Sequence, residues 1–95
     1  MVISTLKNSL KIKDGKFIKI NYEINNNIIS KIKYTGDFFL YPEESLIDLE
    51  RLLTGKKFEY NVLKPIINNF FNDKMLIGVS ASDFLQLIFQ NNSQS

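Results

Sequence analysis

In the stretch KFIKINYEI, the apolar residues Ile18, Ile20, Tyr22 and Ile24 alternate with the polar residues Lys19, Asn21 and Glu23. A polarity period of two marks a β-strand with one buried and one wet face, because successive side chains leave a strand on opposite sides. Asn25, Asn26 and Asn27 follow, and asparagine accepts the left-handed backbone of a tight turn. Alternation resumes in IISKIKYTG, with Ile28, Ile32 and Tyr34 on one side and Lys31, Lys33 and Thr35 on the other. The two runs predict an antiparallel hairpin. An earlier strand, LKIK, leads into the turn KDGK. A plain Asp14-Gly15 loop would set Leu10 opposite Lys19 and bring a lysine onto the apolar face. A longer turn instead pairs Ile12 with Ile18 and Leu10 with Ile20. The expectation is a three-residue turn ending in a bulge, with Gly15 left-handed. Lys11, Lys13, Lys19, Lys31 and Lys33 then share the outer face of a sheet of at least three strands.

Past residue 40 the period changes to that of helices. Pro42 suits a first helical position, Glu43 and Glu44 complement the positive end of the helix dipole, and Leu46, Leu49, Leu52 and Leu53 form a stripe that Gly55 ends. A second helix carries Leu63, Ile66, Ile67, Phe70 and Phe71, and Pro65 is expected in its first turn, where a missing N–H costs least. For a third helix, Ser80 and Asp83 make a capping pair and Val79 can staple onto Phe84, ahead of Leu85, Leu87 and Ile88. The closing QNNSQS has no periodicity and reads as a frayed tail. Strands first and helices after predict an α+β fold, a three-stranded antiparallel sheet with helices packed on one face. A single domain over 1–95 is expected, with its core at about 10–90 and a flexible tail at 91–95.

Between the two halves lies YTGDFFLYPEE. Gly36 and Asp37 suit a corner, but Phe38 and Phe39 are neighbours and cannot both enter one core. The pattern leaves open which ring points outward. An exposed ring forgoes roughly 1.5–3 kcal/mol that a partner would recover.

Composition narrows the chemistry. Of 95 residues 44% are hydrophobic and 23% charged, enough for a core without a metal or disulfide. The chain has no cysteine and no histidine, which removes disulfides, thiolate nucleophiles, the commonest general base and the usual zinc ligands. The start MVISTLKNSL does not read as a secretory signal, and no apolar run nears membrane-spanning length, so a cytoplasmic protein is expected. The net charge of +2 is unevenly spread: residues 1–36 hold seven lysines against two acids, and residues 37–95 hold five bases against eight acids. Solvated lysines on a sheet face are the ordinary case; nucleic acid or an acidic protein are the alternatives.

No residue set builds a catalytic centre. Glu43 and Glu44 fit a helix start better than acid–base work, Asp14 a turn, and Ser80 and Asp83 a cap. Gly15, Gly36, Gly55 and Gly78 are isolated and make no phosphate loop. A nucleic-acid stacking platform would need exposed aromatics among the lysines, and these are few.

The segments KIKDGKFIKINYEI, IISKIKYTGDFFLYPEESLIDLERLLTG and LIGVSASDFLQLI together resemble the accessory C-terminal domain of lipoate-protein ligases, a separate small subunit in archaeal-type bipartite ligases. The resemblance covers about residues 10–90. It is most specific at Lys11, Gly15 and Lys16 and at the Gly36, Asp37, Phe38, Phe39 block followed by Pro42 and Glu43. Lys13 and Asp14 depart from the family's usual turn. The resemblance implies a fold similar to the iron-sulfur scaffold and sulfur-acceptor proteins (the SufE/NifU-like fold), without the cysteines through which those relatives work. It implies a large catalytic subunit that holds lipoate, ATP and Mg, forms lipoyl-adenylate and transfers lipoyl to carrier-domain lysines, with this chain binding no cofactor and having no activity alone. Gly36, Asp37, Phe38, Phe39 and Tyr41 are then the expected partner interface, and Lys11, Gly15 and Lys16 nucleotide-proximal candidates. The alternatives are a cysteine-free scaffold-like adaptor with no role in lipoylation and a nucleic-acid binder on the lysine face.

Overall fold

The computed structural model describes residues 3–12 and 16–90. Three antiparallel strands, β1 (Ile3–Lys11), β2 (Phe17–Asn25) and β3 (Ile28–Gly36), form one sheet in the order β1-β2-β3. The chain continues through β4 (Phe39–Tyr41), α1 (Ser45–Leu53), α2 (Tyr60–Phe71), β5 (Met75–Ile77) and α3 (Ala81–Phe89). β4 and β5 pair as a separate two-stranded ribbon. The architecture is α+β, with antiparallel sheets and three helices.

The alternation of β2 holds throughout: Ile18, Ile20, Tyr22 and Ile24 are buried. Asn26 and Asn27 both adopt positive φ, 58° and 64°, in the two-residue turn that closes the β2–β3 hairpin, a backbone in which asparagine is tolerated. The register then slips, because Glu23 pairs with Lys31 and Ile24 with Ile29, leaving Ser30 as an extra residue. This bulge puts Ile29, instead of the expected Ile28, in the core. β1 begins at Ile3, ahead of the expected LKIK strand, and pairs Leu10 with Ile18, not with Ile20. Ile12 donates its N–H to the Lys16 carbonyl at 2.8 Å instead of meeting Ile18. A shift of two residues keeps every side chain on its face, so polarity alone could not tell the registers apart. The turn residues Lys13, Asp14 and Gly15 and the tail 91–95 lie outside the described residues.

Helix placement departs from expectation at both prolines. Pro42 follows a cis peptide bond and precedes α1 by three residues, and Glu44 holds the N-cap position. Glu43 therefore lies ahead of the helix. Pro65 sits in the second turn of α2; the carbonyl that loses its N–H partner belongs to Asn61, which is exposed and can be hydrated. Leu46, Leu49 and Leu53 of the α1 stripe turn inward, but Leu52 is exposed. Gly55, at φ +90°, follows the C-cap Thr54 and donates its N–H to the Ile29 carbonyl at 2.7 Å. The capping box of α3 forms as expected, with the Asp83 N–H donating to Ser80 Oγ and the Ser80 N–H to Asp83 Oδ2.

α3 is held to the sheet by phenols as well as by packing. Tyr34 Oη donates to the Phe84 carbonyl at 3.0 Å and Tyr22 Oη to the Ile88 carbonyl at 2.6 Å. Asn8, buried on β1, donates from Nδ2 to the Leu87 carbonyl at 2.7 Å and to Tyr22 Oη at 3.1 Å. Burial pushes the Tyr34 phenol well above its usual pKa, with Tyr22 and Glu50 adding to the shift. Burial raises Tyr22 too, against a smaller lowering from the Asn8 hydrogen bond.

Candidate functional site: an apolar ribbon at the sheet-to-helix corner

Gly36 ends β3 opposite Ile18. A Cβ on it would lie 2.5 Å from the Phe17 carbonyl oxygen and 2.8 Å from Ile18 Cα, so only glycine lets the two backbones approach this closely. The Asp37 N–H donates to that same Phe17 carbonyl at 2.9 Å, and the chain then leaves the sheet.

The corner separates the two phenylalanines. Phe38 is partly buried, its ring edge-on to Phe84 at 5.4 Å and 77°. Phe39 points out, 47% exposed. β4 alternates with Leu40 inward and Tyr41 outward, and Tyr41 is 57% exposed and stacked on Phe39 at 6.3 Å and 7°. β5 repeats the alternation: Leu76 pairs with Leu40 on the inner side, while Met75 and Ile77, each 55% exposed, pair with Tyr41 and Phe39. Four large apolar side chains from two strands thus form one outward face. Withdrawing them from water would contribute on the order of 3–5 kcal/mol. A hollow of about 520 Å³ adjoins the face, lined by Thr35, Gly36, Phe38, Phe39, Glu43 and Leu46 among others.

Of the expected interface residues, Gly36 and Asp37 shape the corner, Phe38 anchors it, and Phe39 and Tyr41 are presented to solvent. Met75 and Ile77 were not anticipated from sequence. Their signal is a three-residue apolar run ending at Gly78, too short for its alternation to stand out.

The nucleotide-proximal candidates do not converge. Lys11 pairs with Phe17 on the outer face of the sheet, whereas Lys16 falls on the opposite face, its Cδ 3.8 Å from where a Cβ on Gly78 would sit. Gly15 lies outside the described residues. Ser80 and Asp83 are occupied by their cap, and the Glu50 carboxylate accepts the Tyr34 N–H at 2.8 Å. Among the described residues no group of three or more carboxylates converges to hold a metal ion. No described helix is long and apolar enough to cross a membrane.

The family model for the bacterial lipoate protein ligase C-terminus matches residues 4–88. Lipoate-protein ligase A subunit 2 of Thermoplasma acidophilum is 35% identical over 79 residues, covering 82% of this chain and 81% of the relative. A solved chain from a study of an archaeal lipoylation system, a bi-partite lipoate protein ligase and its E2 lipoyl domain from T. acidophilum, superposes with a TM-score of 0.82 at 31% identity, covering 92% of this chain and 97% of that one. The expected resemblance is thereby borne out: this chain belongs to the family of the lipoate protein ligase C-terminal domain.

Proposed function

We propose that the chain is the noncatalytic small subunit of a two-part lipoate-protein ligase, needed with a large catalytic subunit for ATP-dependent lipoyl-adenylate formation ahead of lipoyl transfer to carrier-domain lysines. The observation that carries the reading is the correspondence along nearly the whole length of a subunit-sized chain of a bi-partite ligase system. The ribbon supports it, since Phe39, Tyr41, Met75 and Ile77 offer the exposed apolar surface that a lasting partner would cover. On this reading the catalytic subunit holds lipoate, ATP and Mg, and the pair works in the cytoplasm. This chain supplies the corner of Gly36, Asp37, Phe38, Phe39 and Tyr41 as its docking surface, with Met75 and Ile77 completing it. A three-stranded sheet with helices on one face is also consistent with kinship to the SufE/NifU-like fold.

The test is lipoate-dependent pyrophosphate release by the large subunit with and without this chain. A marked stimulation is expected. Equal rates in the two mixtures would sink the proposal.

A further inference from the structure

The outer face of the three-stranded sheet takes no part in the core or in the ribbon. It presents Lys7 and Lys11 from β1, Lys19 from β2, and Lys31 and Lys33 from β3, all exposed. Register spaces them: Lys7 and Lys33 flank Asn21, and Lys19 lies between Ser9 and Thr35. Direct opposition of like charges, which destabilises a sheet, is thereby avoided. Yet Glu23, beside Lys31, is the only carboxylate among the described residues of this face. The ion pairs formed by the described residues, Asp48 with Arg51 and Asp73 with Lys74, lie elsewhere. At one end the face is dished into a hollow of about 360 Å³, with Lys11 and Lys19 beside the Phe17 ring. The Lys19 ammonium stands 5.6 Å from the centre of that ring.

We infer that this face receives an acidic surface of the carrier domain whose lysine accepts the lipoyl group, an inference that rests on the subunit reading above. Lysines on an outer sheet face are ordinarily just hydrated. Here they are also segregated from the acids and frame a hollow with an aromatic wall, which suits a carboxylate standing beside an apolar side chain. Charge and polarity assign the two surfaces to different partners. The apolar ribbon fits a catalytic subunit that stays bound. A carrier must arrive and leave at every turnover, and a charged face gives fast, steered arrival with modest affinity. Nucleic acid fits less well, because Phe17 is the one exposed ring among the described residues of this face, and bases need a row of them to stack on.

The experiment uses this chain, the catalytic subunit and the apo carrier domain from the same host. The triple variant Lys7→Gln, Lys19→Gln, Lys33→Gln is expected to lower kcat/KM for the carrier about tenfold at low salt and to flatten its salt dependence. Pyrophosphate release without carrier should not change. An unchanged kcat/KM for carrier overturns the inference, as does a carrier surface with no excess of carboxylates. A loss of carrier-free pyrophosphate release in the variant overturns it in favour of contact with the catalytic subunit. Displacement of carrier by an equimolar short DNA duplex overturns it in favour of nucleic acid. Calorimetric binding of carrier to this chain alone, wild type against variant, is read separately. A failure of wild-type chain to stimulate the catalytic subunit therefore counts against the subunit role, while equal carrier binding by the two forms counts against this face.

Discussion

Phe38 and Phe39 are adjacent in sequence and opposite in consequence. The Phe38 ring packs edge-on to Phe84 in the core, so Phe38→Ala should lower unfolding free energy by about 2–3 kcal/mol. Phe39→Ala should change stability by less than about 0.5 kcal/mol, because its ring touches mainly Tyr41 at the surface. The same substitution should weaken binding to the catalytic subunit at least about tenfold, since aromatic anchors dominate interfaces. Urea denaturation and titration of the partner separate the two effects; equal stability losses for both variants would show the assignment of the rings to be mistaken. Gly36 answers to geometry alone. Any Cβ there meets two backbone atoms of β2, so Gly36→Ala should cost about 1–3 kcal/mol in the same urea measurement.

Whole elements were legible where a repeating pattern had room to declare itself. The four apolar residues of β2 and the cap of α3 were readable from sequence, the first from period and the second from paired side chains. Ser80→Ala and Asp83→Ala should each cost about 1 kcal/mol by urea titration, and the double variant less than the sum, because each residue caps the other's backbone. Additive losses would argue against a reciprocal box. What stayed hidden has a physical cause in each case. Ile28 and Ile29 are equally apolar, so nothing in their polarity reveals that Ser30 is the bulged residue. β4 and β5 span three residues each and pair across more than thirty positions, a contact that local pattern does not encode. The exposed apolar face was therefore half visible: the adjacent Phe38 and Phe39 announced one ring too many for the core without saying which, whereas Met75 and Ile77 gain meaning only once β5 lies beside β4.

Across the molecule, the tyrosines set the response to alkali. Tyr34 and Tyr22 are both raised above their usual values, chiefly by burial, so the folded state keeps protons that the unfolded chain releases once pH passes about 10. The stability they contribute is fully present below that pH and is lost as pH climbs from there toward the folded values, by up to about 1.4 kcal/mol per pH unit for each group. Urea midpoints should be level from pH 8 to about 10 and then fall. Tyr34→Phe should shift the whole curve down, for want of the bond to the Phe84 carbonyl, and soften the alkaline slope. An unchanged slope would mean that Tyr34 ionises freely. The bonds from Asn8 and Tyr22 to Leu87 and Ile88 have a further effect, on the order of events during synthesis. The first strand waits for the last helix, 79 residues later in the chain, to satisfy its one buried amide side chain. A nascent chain stalled at residue 80 would expose Tyr22, Tyr34 and Asn8 to water, with no helix to close over them. Consolidation of this domain is thus postponed until α3 is free to pack against the sheet, and chains cut short before Ala81 should remain protease-sensitive.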